Sequence, residues 1–124
     1  MEGKKILLVD DVDIRLSVEK LLLEEAGFAV RTAHSLRQID AVVTAFAPDL
    51  VLTDVNMPDV SGPDLCRHIK AQVGARKVPV VLMSSLSEDE LGRLARRCGA
   101  DAWLCRAGAL EALPERVSRL CASI

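Results

Sequence analysis

The chain has very few aromatic side chains: among its 124 residues are two phenylalanines, one tryptophan and no tyrosine. Successive bases of single-stranded nucleic acid stack on aromatic side chains, so the sequence lacks the platforms for that kind of binding. The formal net charge is -2, and no long-range positive field is available to attract nucleic acid or an anionic membrane. We therefore expect a protein that binds neither.

Long apolar runs and secretion signals are also absent. No run approaches the roughly 18 residues that a membrane-spanning helix needs, and the opening residues MEGKK are not a signal peptide. The cysteines form no CxxC pair and have no histidine at a zinc-ligand spacing, which predicts free, mostly buried thiols. They are Cys66, Cys98, Cys105 and Cys121. The sequence predicts a soluble, cytoplasmic protein.

Short apolar runs alternate with segments of helical periodicity along the whole chain, and its length fits one domain, residues 1–124. The apolar runs predict strands at residues 6–9, 28–32, 50–54, 78–83 and 101–105. Five strands, each followed by a helix and none joined by a hairpin signal, predict an α/β protein. We expect a doubly wound five-stranded parallel sheet with helices on both faces.

Helix boundaries follow from capping signals. Ser35 and Ser87 are each followed three residues later by Gln or Glu, the pattern of a capping box, and Gly99 is a helix stop. The first helix is predicted from the period of Leu16, Val18 and the leucines at 21–23, and it is predicted to end at Gly27. A third helix is predicted over residues 62–73, and a fifth begins near Leu113.

Three aspartates follow two strands that are neighbours in such a sheet. Asp10 and Asp11 come directly after the first strand, and Asp54 ends the third. Adjacent strands lie about 4.8 Å apart, so these carboxylates are expected to converge at one edge of the sheet. Clustered carboxylates need a cation, and an oxygen-rich site suits Mg²⁺. Because no glycine-rich turn follows the first strand, a nucleotide-binding fold is disfavoured.

Four segments carry a resemblance that covers essentially the whole chain. They are KILLVDD, DLVLTDVNMPDVSG, VPVVLMSS and GADAWLCRA. The chain resembles the receiver domains of bacterial two-component response regulators. The resemblance implies a flavodoxin-like (βα)5 three-layer sandwich with strand order 2-1-3-4-5.

The same resemblance implies a phosphorylation site. Asp54 would accept a phosphoryl group from a histidine kinase or a phosphotransfer protein, and Ser84 would contact it. Asp10, Asp11, Asp54 and the backbone carbonyl of Asn56 would hold Mg²⁺. Such a domain is a phosphoacceptor and not an enzyme, beyond slow self-dephosphorylation at most, and it passes its signal to a downstream protein target.

The fifth strand departs from the family pattern, which usually has a lysine followed by a cis-proline. Here Arg106 and Ala107 stand in their place. Arg106 keeps the positive charge and would contact the phosphoryl group. Without proline, however, a trans bond is favoured by about 3 kcal/mol, which would turn Arg106 away from Asp54. Trp103 occupies the position of the family's switch aromatic, and we then expect phosphorylation to alter its surroundings only slightly.

Three functions remain open at this point. The first is a phosphorylatable response regulator that shifts between two conformations. The second is a receiver-like protein interaction module that no longer switches, which the change at Arg106 favours. The third, a flavodoxin-like binder of small molecules, is disfavoured because the loops at the strand ends are acidic and poor in glycine.

Overall fold

A computed structural model of the chain describes residues 3–55, 57, 60–73, 78–106 and 110–123. Strands and helices alternate as β1 Lys5–Val9, α1 Asp13–Glu25, β2 Ala29–Ala33, α2 Leu36–Phe46, β3 Leu50–Asp54, α3 Gly62–Val73, β4 Val80–Ser84, α4 Glu88–Cys98, β5 Ala102–Cys105 and α5 Leu113–Ser123. A short 3-10 turn, Leu110–Ala112, leads into α5. In these ranges no helix is both long and apolar enough to cross a membrane.

All strand pairs are parallel, and the order across the sheet is β2-β1-β3-β4-β5. The predicted fold class and strand order are confirmed. Val9 is paired with Thr53, and Asp54 with Met83, so β1, β3 and β4 end at the same edge. Residues that follow these strands are therefore neighbours in space.

Helices cover both faces of the sheet and give two separate apolar cores. Leu16 of α1 and Val117 of α5 pack with Leu8 and Leu52 on one face. The helices α2, α3 and α4 pack on the other face, where Leu82 is fully buried. Strands that are covered on both sides need apolar residues at every position, which is why their sequences show runs and not alternation.

The predicted helix caps are present. The Ser35 hydroxyl accepts the backbone N–H of Gln38, and the Ser87 hydroxyl accepts that of Glu90, each at 3.3 Å. The reciprocal half of the first capping box differs, because the Gln38 side chain accepts the N–H of His34 and not that of Ser35. Each serine satisfies one of the backbone donors that a helix leaves open at its start.

The buried face of α1 contains only some of the apolar residues that predicted this helix. Leu16 and Leu23 are buried, but Val18 and Leu21 are exposed, Leu21 by 57%. Glu19 takes the place between the two buried leucines and is only 2% exposed. Val18 and Leu21 contributed to the predicted helical period but do not share the buried face, because positions 16, 19 and 23 lie on one face of a helix and positions 18 and 21 do not.

The four cysteines are free thiols, as predicted, and three of them are buried. Burial, together with the neighbouring Cys98 thiol, raises the pKa of Cys66 to about 12. Cys66 is therefore protonated at neutral pH and acts as a small apolar residue in the core.

Candidate functional site

The three aspartates converge at the carboxyl edge of the sheet. Asp10 is fully buried, Asp54 is 3% exposed, and Asp11 faces solvent. Each offers a carboxylate oxygen, and these oxygens lie within 4.8 Å of one another. The pairing of β1 with β3 produces this cluster, since Asp10 follows the Val9–Thr53 pair and Asp54 is the last residue of β3.

Two arginines neutralise the buried aspartates. Arg15 donates from Nη2 to Oδ1 of Asp10 at 3.0 Å and from Nε to Oδ2, and its Nη2 lies 3.6 Å from Oδ2 of Asp54. Arg106 donates from Nη1 to Oδ1 of Asp54 at 2.8 Å and from Nη2 to Oδ2 of Asp10 at 3.0 Å. Asp10 and Asp54 thus share two guanidinium groups.

The prediction that Arg106 points away from Asp54 was wrong. The backbone N–H of Arg106 donates to the carbonyl of Ser84 at 2.7 Å, which continues the β4–β5 pairing by one residue. From this anchor the Arg106 side chain reaches inward, because the buried carboxylates attract it. As a result, the side chain is only 12% exposed. Ala107 lies outside the described residues, so the trans bond before it stays a prediction.

The two buried aspartates differ in basicity. Burial raises the pKa of Asp54, and the charge of Arg106 opposes this only in part. Burial also acts on Asp10, but the hydrogen bonds from Arg15 and from the Val12 N–H, with the charge of Arg106, bring its pKa below the ordinary value. Asp54 is the more basic of the two carboxylates, and it accepts fewer hydrogen bonds than Asp10 does.

Ser84 ends β4 beside this cluster and is 3% exposed. It follows Met83, the residue paired with Asp54. Its hydroxyl oxygen accepts the backbone N–H of Leu86 at 3.1 Å. A hydroxyl accepts and donates at once, so this local bond leaves its O–H available as a donor. Asn56 lies outside the described residues, and its carbonyl as a metal ligand stays a prediction.

The donor set fits a divalent cation. Carboxylate oxygens from Asp10, Asp11 and Asp54 are the hard ligands that Mg²⁺ prefers, and the exposed Asp11 leaves an open side for water. Arg15 occupies oxygens that the metal would need, but its side chain is 36% exposed and has room to move outward. These three aspartates form a cluster that could hold a metal ion.

Two site residues were missed in the sequence, namely Arg15 and Glu19. Glu19 lies three residues after Leu16 and four before Leu23, so a charge inside the apolar stripe was the available signal. Arg15 lies one helical turn before Glu19, on the side that meets the strand ends. Helix α1 brings both side chains to the cluster, where Arg15 contacts Asp10 and Glu19 contacts Arg106.

Trp103 lies on β5 and packs against α4. Its indole Nε1 donates to Oε2 of Glu88 at 3.1 Å, and the Arg96 guanidinium lies 5.5 Å from the ring centroid. The ring passes over Gly92, where a Cβ atom would meet Trp103 Cζ2 at 3.1 Å. A glycine in the middle of α4 thus makes room for the indole.

Replacing Gly92 by alanine should move Trp103 with little change in stability. The added Cβ crowds the indole at 3.1 and 3.2 Å, while alanine favours a helix over glycine by about 1 kcal/mol, so the two effects oppose each other. We expect a shifted emission spectrum of this single tryptophan and a urea midpoint close to wild type. Arg93→Ala, one position along on the exposed side of α4, is the control. An unchanged spectrum in Gly92→Ala contradicts the packing described.

Comparisons with known proteins agree with this geometry. The family model of the response regulator receiver domain matches residues 6–118. The chain is 34% identical over 117 residues to the gliding motility regulatory protein of Myxococcus xanthus, covering 94% of this chain. It is 30% identical over 106 residues to the phosphate regulon transcriptional regulatory protein PhoB of Pseudomonas aeruginosa, covering 86% of this chain. It spans 15% of the first protein's length and 46% of the second's.

Solved structures show the same architecture. The chemotaxis response regulator CheY4 of Vibrio cholerae superimposes with a TM-score of 0.83 at 25% identity, covering 95% of this chain and 98% of that one. The sheet order, the aspartates at its carboxyl edge and the family match over residues 6–118 agree with one another. The chain belongs to the family of response regulator receiver domains of two-component signalling.

Proposed function

We propose that Asp54 is the phosphoacceptor of this receiver domain. It would take a phosphoryl group from a phosphohistidine of a histidine kinase or a phosphotransfer protein, with Mg²⁺ bound by Asp10, Asp11, Asp54 and the carbonyl of Asn56. The phosphoryl group would then change binding to a downstream protein target.

The difference between the two buried aspartates supports Asp54 over Asp10. Asp10 accepts from the Val12 N–H and from both arginines, whereas Asp54 accepts a hydrogen bond from Arg106 and has Arg15 at 3.6 Å. A carboxylate with fewer donors and a pKa raised by burial is the better nucleophile. Asp54 also stands at the end of the central strand, where open α/β sheets bind their ligands.

The reaction is an in-line displacement at phosphorus. An oxygen of Asp54 attacks, a P–O bond forms, and the P–N bond to the donor histidine breaks with its electron pair left on the imidazole nitrogen. Arg106 donates to Oδ1 of Asp54, which would be the oxygen that does not attack. Its guanidinium would then stay close to the negative charge of the phosphorylated product. The Ser84 O–H would donate to a phosphoryl oxygen. Mg²⁺, when bound, would neutralise charge on the transferred group.

The setting of the protein follows from the same proposal. We place it in the cytoplasm, with residues 1–124 forming a receiver domain, and its free thiols support a reducing compartment. Its family is one of phosphoacceptors and not of conventional enzymes. Any hydrolysis of the phosphorylated Asp54 would be slow self-dephosphorylation. The interaction module without a switch is not favoured, because Arg106 does reach Asp54.

Incubation with phosphoramidate and Mg²⁺, followed by intact mass, tests the proposal. We expect one phosphoryl group on the wild type and none on Asp54→Asn, since the amide is not a nucleophile. Chelating the metal should suppress the gain. Asp64→Asn, which changes an exposed aspartate of α3, is the matched control and should react as the wild type does. Phosphorylation of Asp54→Asn, or none of the wild type, would overturn the assignment.

A further inference from the structure

A buried glutamate of α1 has no part in the reaction described above. Glu19 is 2% exposed, with Leu16 and Leu23 on the same face of the helix. Burying a charged carboxylate among apolar side chains costs free energy unless the carboxylate is paired and hydrogen-bonded. Glu19 also lines a cavity of about 250 Å³ whose other lining residues include Leu104 of β5 and Leu113 of α5.

Arg106 is the partner of Glu19. Its Nε lies 3.4 Å from Oε2 of Glu19, and its Nη2 lies 3.5 Å from Oε1. The opposite end of the same guanidinium, Nη1, contacts Oδ1 of Asp54 at 2.8 Å. Arg106 therefore spans from α1 to the end of β3, which a lysine ammonium cannot do because it is a single point of charge.

The cavity has room for a different conformation of the Arg106 side chain. Leu104, Leu110 and Leu113 line it beside Glu19, and Arg106 borders the same space. Without a partner on α1 the long side chain has room to swing away from the aspartates. A contact with Glu19 restricts the rotamers of the Arg106 side chain, so less conformational entropy is lost when the same side chain contacts Asp54.

We propose that Glu19 is a positioning residue that fixes Arg106 on Asp54. Glu19 and Arg106 then form a functional pair that replaces the single lysine of related receivers. Glu19 binds the Nε edge of the guanidinium, and Nη1 is thereby directed at Oδ1 of Asp54. This role rests on the proposed phosphorylation of Asp54, while the placement of Arg106 by Glu19 does not.

Phosphorylation rates of matched variants test the role. Glu19→Gln retains shape and loses charge, so with phosphoramidate and saturating Mg²⁺ we expect its maximal rate to fall about tenfold, with the half-saturating donor concentration changed less than about twofold. Glu25→Gln, on the exposed end of α1, is the control and should keep the wild-type rate. A wild-type rate for Glu19→Gln would overturn the proposal.

A double-mutant cycle separates positioning from simple packing. Arg106→Lys should slow phosphorylation about tenfold, and adding Glu19→Leu to it should slow the reaction less than about twofold further, because lysine no longer spans the two sites. Independent structural roles would instead give losses that multiply. Multiplying losses would count against a functional pair.

The placement of Arg106 is tested without phosphorylation. The Nε–H signal of Arg106 in nitrogen-15 NMR, identified by its loss in Arg106→Lys, should exchange slowly with water in the wild type and rapidly in Glu19→Leu. If the wild type accepts no phosphoryl group but this dependence on Glu19 is seen, the proposed function fails and the placement stands. Equal exchange in the wild type and Glu19→Leu would refute the placement itself.

Discussion

Replacing Arg106 by alanine is expected to lower the free energy of unfolding by about 3 kcal/mol in metal-free buffer. The change removes a guanidinium that contacts three buried carboxylates, those of Asp10, Glu19 and Asp54. Breaking a buried ion pair by removing one partner typically costs about 3 to 5 kcal/mol, because a charge stays buried without compensation. We place the value at the lower end because Arg15 still neutralises Asp10.

The loss should become smaller at lower pH. Burial already raises the pKa of Glu19 and of Asp54, and removing Arg106 takes away an opposing charge from both. The folded variant then binds protons at a higher pH than the unfolded chain does, so its stability increases as the pH falls through those values. Mg²⁺ should restore part of the loss by binding to the folded state.

Urea unfolding of Arg106→Ala at two pH values, with and without Mg²⁺, measures these effects. Arg119→Ala is the matched control, because Arg119 forms its ion pair with Glu115 in solvent, where its side chain is 78% exposed. Such a pair contributes about 0 to 1 kcal/mol. A loss below about 1 kcal/mol in Arg106→Ala, or one that grows at lower pH, would show that the buried network carries little of the stability.

The fold was predictable because each local signal agreed with the global arrangement. Apolar runs marked strands that are covered on both faces, and Ser35, Ser87 and Gly99 marked helix ends that the structure retains. These signals act over a few residues and do not depend on distant contacts. The strand order came from the family resemblance, which periodicity alone does not provide.

The site was predictable only for residues that strand ends determine. Asp10 and Asp54 had to converge once the strands were neighbours. The direction of Arg106 depends on Glu19, which lies 87 residues away along the chain. The expectation drawn from the loss of proline considered one peptide bond and left out the carboxylates that attract the side chain.

The phase of α1 explains why Glu19 was missed. Leucines at the consecutive positions 21, 22 and 23 are compatible with more than one buried face, and this pattern does not single out the face that contains Glu19. Packing against the sheet selected the face that also brings Arg15 and Glu19 to the strand ends. A charged residue within an apolar stripe therefore marked a functional contact.

Replacing Arg15 by methionine is expected to tighten Mg²⁺ binding about tenfold. Arg15 donates two hydrogen bonds to Asp10 and lies 3.6 Å from Asp54, so a metal must displace it from the oxygens it would share. A hydrogen bond to a charged group contributes about 1.5 to 3 kcal/mol, and about 1.4 kcal/mol is a factor of ten in affinity. Methionine has a similar length and carries no charge, and the Arg15 side chain is partly exposed, which should limit the loss of packing.

Titration with Mg²⁺ followed by amide NMR gives the dissociation constant without any phosphoryl transfer. Asp11→Asn should change it in the opposite direction and remove most of the affinity, since the substitution deletes one anionic ligand. Arg67→Met removes an equal charge from an exposed pair with Asp64 and should leave the affinity within about twofold of wild type, because solvent screens that charge. Mg²⁺ binding by Arg15→Met that is no tighter than binding by Arg67→Met would show that Arg15 does not compete with the metal. Arg15 would then be a partner of the buried aspartates, as Arg106 is, and would leave metal binding unaffected.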